Sequence, residues 1–199
     1  MSNKAKENKN YTQISFNRNV PIPEPVEKQK RGDKWVSWGE DNLYPQFLNQ
    51  IYYDSPYQSG IINGKVLFIT GSGIEEEATD AENLLQLKQF LANSNSDFNC
   101  DEIINNVALD LEIYNGFAIK GVWNKDGSLG YIEHLDFDKV RQSEDGDMYY
   151  YSCDWSTKKQ SYEKTQYQEY EPYNPEIKRG SFLFYYRVSN KTYPQGSKK

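Results

Sequence analysis

The residues of this chain able to do chemistry are few. His134, Asp136 and Asp138 fall at a spacing of two, which on a continued β-strand places an imidazole and two carboxylates on one face. Such a set suits a divalent metal. Leu135 and Phe137 alternate with them, which is also the pattern of any strand with one buried face, so the three are read as strand and no metal or cofactor is assigned. Gly71-Ser72-Gly73 has the small residues of a phosphate loop. A phosphate loop, however, follows a strand and carries Gly-Lys-Ser/Thr, whereas here Glu75-Glu76-Glu77 comes next and would repel phosphate. Those carboxylates, with Asp80 and Glu82, stand at a helix start, where negative charge is favourable by about 0.3–1 kcal/mol without any ligand. Cys100 and Cys153 lack partners at metal spacing, and no Gly-x-Ser-x-Gly elbow occurs. With His134 the sole histidine, acid–base schemes lack their usual group. No catalytic residue is assigned, and a non-enzymatic protein is expected.

Composition points the same way. A chain of 199 residues is long enough for one domain with a real core. Hydrophobic residues are 37 %, low for a compact fold, yet aromatics reach 15 % with 17 tyrosines. Tyrosine buries a ring and keeps a polar tip, which fits half-buried surfaces or surfaces shared between molecules, although Tyr-rich strands alone would also explain it. The net charge of −6 leaves no basic footprint for tight duplex binding. Lysines gather only at the ends (Lys4, Lys6, Lys9; Lys198, Lys199), as in solvated tails. There is no apolar leader and no run of about 18 apolar residues, so a soluble, reduced setting with free thiols and no membrane is expected.

Residues 1–34 are polar, with Pro21, Pro23 and Pro25 alternating, and read as a flexible arm that could also pack on a neighbouring subunit. Order is expected from Trp35-Val36-Ser37-Trp38 through residue 190, followed by a polar tail over 191–199. Asp41 or Asn42 is placed to cap a short helix carrying Pro45, Phe47, Leu48, Ile51 and Tyr52. Ser55 as N-cap and Pro56 at the first position start a second, with Tyr57, Ile61, Ile62, Val66 and Ile69 along it and Gly71 ending it. Thr79-Asp80-Ala81-Glu82 matches a capping box ahead of Leu84, Leu87 and Leu91, in a helix that frays over 93–96. Asn99 with Glu102 caps a fourth, whose stripe is Ile104, Val107, Ala108, Leu111 and Tyr114. Beyond residue 116 the period becomes two. Strands are expected over 117–123, 129–134, 139–142, 148–154, 161–169 and 182–188, with turns at Asp126-Gly127 and Asp145-Gly146. Helices followed by a mostly antiparallel sheet of short strands define an α+β fold.

Several of these segments resemble, in order, a recurrent stretch of tailed-bacteriophage portal proteins. Val107-Ala108-Leu109-Asp110-Leu111-Glu112-Ile113-Tyr114-Asn115-Gly116-Phe117-Ala118-Ile119-Lys120 is similar to the portal helix that ends in Tyr-Gly and enters a hairpin. Many portals read Gly-Asn where this chain has Asn115-Gly116. Tyr131 to Arg141 resembles the turn that follows, with Asp136 and Val140-Arg141 at its key places, and Met148-Tyr149-Tyr150-Tyr151 the next strand. Upstream, Trp38-Gly39-Glu40-Asp41-Asn42-Leu43-Tyr44-Pro45, Ser55-Pro56 and Ile61-Ile62-Asn63-Gly64-Lys65-Val66 resemble portals of phages of Bacteroidetes-type hosts. The likeness spans roughly residues 35–190. It implies a portal wing-like domain from a ring, commonly a dodecamer, through which DNA is packaged and ejected at a capsid vertex. It further implies assembly in the host cytoplasm, residence in the virion, and transient non-specific DNA passage along walls whose acidity keeps phosphate contact weak. Terminase, head–tail adaptor and capsid proteins would be met through the stem and clip, which lie beyond this stretch in the family, so a truncated or split portal, or a fragment, is expected.

Within that reading the aromatic segment Trp35, Trp38, Tyr44 and Phe47 is the candidate subunit contact; the alternative is that these rings pack inside their own domain. Two other functions compete. A stand-alone protein-binding module would be a stable monomer. A metal-dependent phosphodiester hydrolase using His134, Asp136 and Asp138 would lose activity in Asp136→Asn.

Overall fold

Backbone periodicity changes at Asn115–Gly116, and the architecture changes with it. The computed structural model describes residues 22–75, 77, 80–92, 94–95, 98–156 and 166–188. Among the described residues four helices precede the main sheet: α1 (Tyr44–Asp54), α2 (Pro56–Thr70), α3 (Ala81–Ala92) and α4 (Cys100–Tyr114). They are preceded by a small hairpin of β1 (Glu27–Gln29) and β2 (Val36–Trp38). They are followed by β3 (Gly116–Trp123), β4 (Leu129–Leu135), β5 (Val140–Gln142), β6 (Tyr149–Tyr151), β7 (Gln168–Pro172) and β8 (Ser181–Arg187). These six form one sheet in the order β4-β3-β8-β7-β6-β5, antiparallel except where β7 pairs with β8. The fold is α+β. No helix among the described residues is long and apolar enough to cross a membrane.

Local chemistry accounts for most element ends. Ser55 Oγ accepts from Gln58 N at the start of α2, with Pro56 in the first turn, and Gly71 closes the helix at φ 55°. Asn99 and Glu102 make the reciprocal capping box of α4, and Asn115 ends it in the left-handed conformation at φ 57°. Gly116 then opens β3 where Phe137 Cζ and the Tyr186 carbonyl would lie 2.6 and 2.7 Å from an added Cβ, so only glycine fits.

Elsewhere long-range packing overrides local signals. Neither Asp41 nor Asn42 caps α1: its N-cap is Leu43, without a side-chain bond. Asn42, at φ 64°, instead accepts at its Oδ1 from Trp38 N and from Arg141 Nε, 99 residues away. On α2 only Ile62 and Val66 are buried, while Tyr57, Ile61 and Ile69 face solvent. The buried side of α4 is Cys100, Ile103, Ala108, Asp110 and Tyr114 rather than a stripe through Ile104 and Leu111. The expected box at Thr79 lies outside the described residues; Asp80 Oδ1 accepts from Asn83 N beside it. Residues 157–165, most of one expected strand, also lie outside them. Within the stretch read as an arm, Glu27–Gln29 pairs with Val36–Trp38, and Glu27 holds Arg187 of β8 at 2.6 Å.

Two apolar clusters form the core. One joins Trp38, Tyr114, Ala118, Leu135, Phe137, Val140, Tyr149, Tyr170 and Leu183 beneath the sheet. The other joins Tyr52, Ile62, Val66 and Ala108 between α1, α2 and α4. The β4 edge is closed at Ile132, whose N–H donates to the Ser94 carbonyl and whose carbonyl accepts from Asn95 Nδ2. Covering an edge in this way blocks strand-to-strand aggregation.

Candidate assembly surface

The aromatic segment singled out from sequence turns inward. Trp38 is only 6 % exposed, stacked edge-on against Phe137 and covered by the Arg187 guanidinium, whose Cζ lies 3.6 Å from the indole centroid. Tyr44 and Phe47 are half-buried and pack on each other, with Tyr44 also against Trp38. Trp35 meets Tyr150, Trp155 and Tyr167 at ring distances of 4.9–6.0 Å. These four rings fasten the N-terminal hairpin and α1 to the sheet. The packing has a simple cause: a run rich in tryptophan is anchored where apolar surface is nearest, and here that surface is the chain's own core.

Beside them lies a buried cation that sequence reading noticed only as part of a turn. Arg141 is 2 % exposed. Its Nε donates to Asn42 Oδ1, Nη1 to the carbonyls of Asp138 and Val140, and Nη2 to the carbonyl of Asn42, all at 2.7–2.8 Å. The Trp155 ring stacks 5.0 Å away. Burial pulls the guanidinium down to about 9, still charged at neutral pH. Its bonds run mainly to neutral oxygens, so Arg141 acts as a clamp that ties α1, the 3₁₀ turn Phe137–Lys139 and β5 together.

The strand face proposed for His134, Asp136 and Asp138 does not exist as such. β4 ends at Leu135, and Phe137–Lys139 forms the 3₁₀ turn. The three residues nonetheless line one polar cavity of about 280 Å³ with Asp110, Tyr52 and Tyr114. Each acid there is engaged. His134 Nε2 lies 2.7 Å from Asp110 Oδ2, Asp136 pairs with Lys139, and the Asp138 carboxyl meets Asn49. Burial raises Asp110 despite His134, and raises Asp138 with help from Asp136. No group of three or more His, Cys, Asp or Glu among the described residues is arranged to hold a metal. A cleft of about 1100 Å³ runs along the β1–β2 hairpin past Lys28, Arg31 and Glu144, with charges of both signs and no convergent reactive set. Cys100 is buried and Cys153 exposed, both as free thiols.

What stands out instead is apolar surface left uncovered. In α2, Phe68 is 93 % exposed, Tyr57 81 % and Leu67 70 %, with Ile61 beside them. At 3.6 residues per turn Tyr57, Ile61, Gly64 and Phe68 make one ridge, diametrically opposite the buried Ile62 and Val66. The helix is thus apolar on both sides, the signature of one buried all round. A second patch lies on the sheet: Phe117 stacks on Phe184 and Tyr186, and the latter two are each 49 % exposed, with Val188 next in line. Directly opposed strand residues share a face, so Phe117–Tyr186 and Ile119–Phe184 point away from Ala118 and Leu183 of the core. Periodicity alone misses such surfaces, since an apolar residue reads the same whether its own chain or another covers it.

No protein-family model matches the chain, and no curated protein matches it in sequence.

Proposed function

We propose that this chain is a structural, non-enzymatic subunit that assembles with copies of itself, in the manner of the wing of a phage portal ring. The observation that carries the reading is α2, whose outer ridge of Tyr57, Ile61 and Phe68, with Leu67 at its flank, is left in water. Uncovered apolar patches of this kind mark interaction sites. The type of assembly comes from the order of segments resembling portals. Support for it lies in their placement: α4 ends at Tyr114-Asn115-Gly116 and feeds the β3–β4 hairpin, whose return strand leads through the Asp136–Lys139 turn to the Arg141 clamp. In this reading the ring stands at the capsid vertex in the virion, forms in the host cytoplasm, meets terminase, adaptor and capsid proteins, and passes DNA without gripping it. The acidic balance of the chain suits that last task.

Electron microscopy of the purified chain, alone and mixed with the full-length portal of the same phage, tests this. Closed rings with an axial channel, or incorporation into the portal's rings, are expected. Isolated single domains that never enter such rings would contradict it.

A further inference from the structure

α2 carries two glycines, Gly60 and Gly64, in the middle of a regular helix. Each costs about 1 kcal/mol relative to alanine in helix formation. Glycines in a helix interior commonly earn their place by letting another element approach, yet nothing lies within 4 Å of a Cβ built at either position. Both fall on the solvent side, Gly64 between Ile61 and Phe68 on the exposed ridge and Gly60 beside Tyr57. The result is a shallow, side-chain-free saddle flanked by Tyr57 and Phe68, empty within this chain. The ridge bears no charge; Lys65 at its margin is paired with Glu112 of α4.

The other apolar patch is the aromatic one on the sheet. Phe184 and Tyr186 stand out from β8, half exposed and braced by Phe117, and they too are uncharged. A ring of identical subunits needs two different patches that fit one another, whereas a two-fold dimer needs one self-complementary patch. This chain has two. Tyr57, Ile61, Leu67 and Phe68 offer on the order of 500 Å² of apolar surface, taking 150–250 Å² per large ring. That is enough for the centre of a standard interface of about 800 Å² per partner.

We infer that the Gly60–Gly64 saddle of α2 seats the Phe184/Tyr186 face of β8 from a second copy of this chain, a head-to-tail contact. The inference rests on the assembly reading above and names its two surfaces. Absence of side chains at positions 60 and 64 lets the incoming rings reach the helix backbone, while Tyr57 and Phe68 close over their edges.

Chain mixing tests it, read as molar mass in solution. Phe68→Glu and Phe184→Glu alter exposed rings, so both variants fold, with circular dichroism as the check. Each alone is expected to stay at the 23.3 kDa of one chain, because each lacks one half of every junction. Mixed in equal amounts they are expected to form a two-chain complex and nothing larger, since one intact saddle meets one intact face. Gly64→Ala is expected to raise the melting temperature while weakening self-association by roughly tenfold or more. If the wild type assembles and Phe68→Glu assembles equally well, the inference falls and the ring reading survives. If Phe184→Glu alone still pairs, the contact is α2 on α2 and the head-to-tail arrangement is overturned. A wild type that is monomeric alone and with the full-length portal removes both.

Discussion

At the scale of single residues, the decisive group is Arg141. A guanidinium taken wholly out of water is tolerable only if its donors are met, and here four short bonds to Asn42, Asp138 and Val140 meet them. Arg141→Met strands those oxygens and is expected to destabilise the fold by at least about 3 kcal/mol in urea unfolding; an unchanged midpoint would show that the clamp is dispensable. The carboxyls of the polar cavity behave differently. Burial holds Asp110 and Asp138 above the ordinary carboxylate range, so both bind protons more tightly folded than unfolded. Their contribution to stability is greatest below that range and fades as pH rises through the raised values. Asp138→Asn removes one such titration. Its stability relative to wild type is expected to climb as pH rises above the ordinary carboxylate range, and a relative stability flat across that rise would contradict the assignment.

At the scale of elements, the chain shows which signals are local and which are not. The α4 capping box, the Ser55-Pro56 start of α2 and the turn at Asp126-Gly127 are written in neighbouring residues, and each was legible for that reason. Asn99→Ala is expected to cost about 1 kcal/mol by removing the cap, measurable by thermal unfolding. Gly116→Ala is expected to cost about 1–3 kcal/mol, because the fully buried Phe137 ring and the Tyr186 carbonyl leave no room for a methyl group. The β1–β2 hairpin was illegible: Glu27-Lys28-Gln29 has the composition of a loop, and the contact that ties it to the sheet comes from Arg187, 160 residues along the chain. Asn42 was misread for the same reason. It looks like a helix cap, and a partner 99 residues away claims its oxygen instead. Of the candidate contact residues, Trp38 is buried in the core, while Trp35, Tyr44 and Phe47 are half-buried. Trp38 lies in the core while Phe68 and Tyr57 are exposed, and no local pattern distinguishes them.

At the scale of the whole molecule, two uncharged patches on different elements, α2 and β8, are what a subunit of a closed ring requires. The fold class was readable from the change of period at residue 116; the patches emerged only once α4 and the sheet had taken their share of the apolar residues. A chain carrying −6 can tolerate such surfaces in solution before assembly, since mutual repulsion slows indiscriminate association. The central claim is that this domain is a self-assembling ring component, and molar mass by light scattering tests it most directly. The account predicts a discrete species many times 23.3 kDa, formed by the chain itself or by joining a full-length portal ring. A single mass of 23.3 kDa under both conditions, with the domain folded, would contradict it.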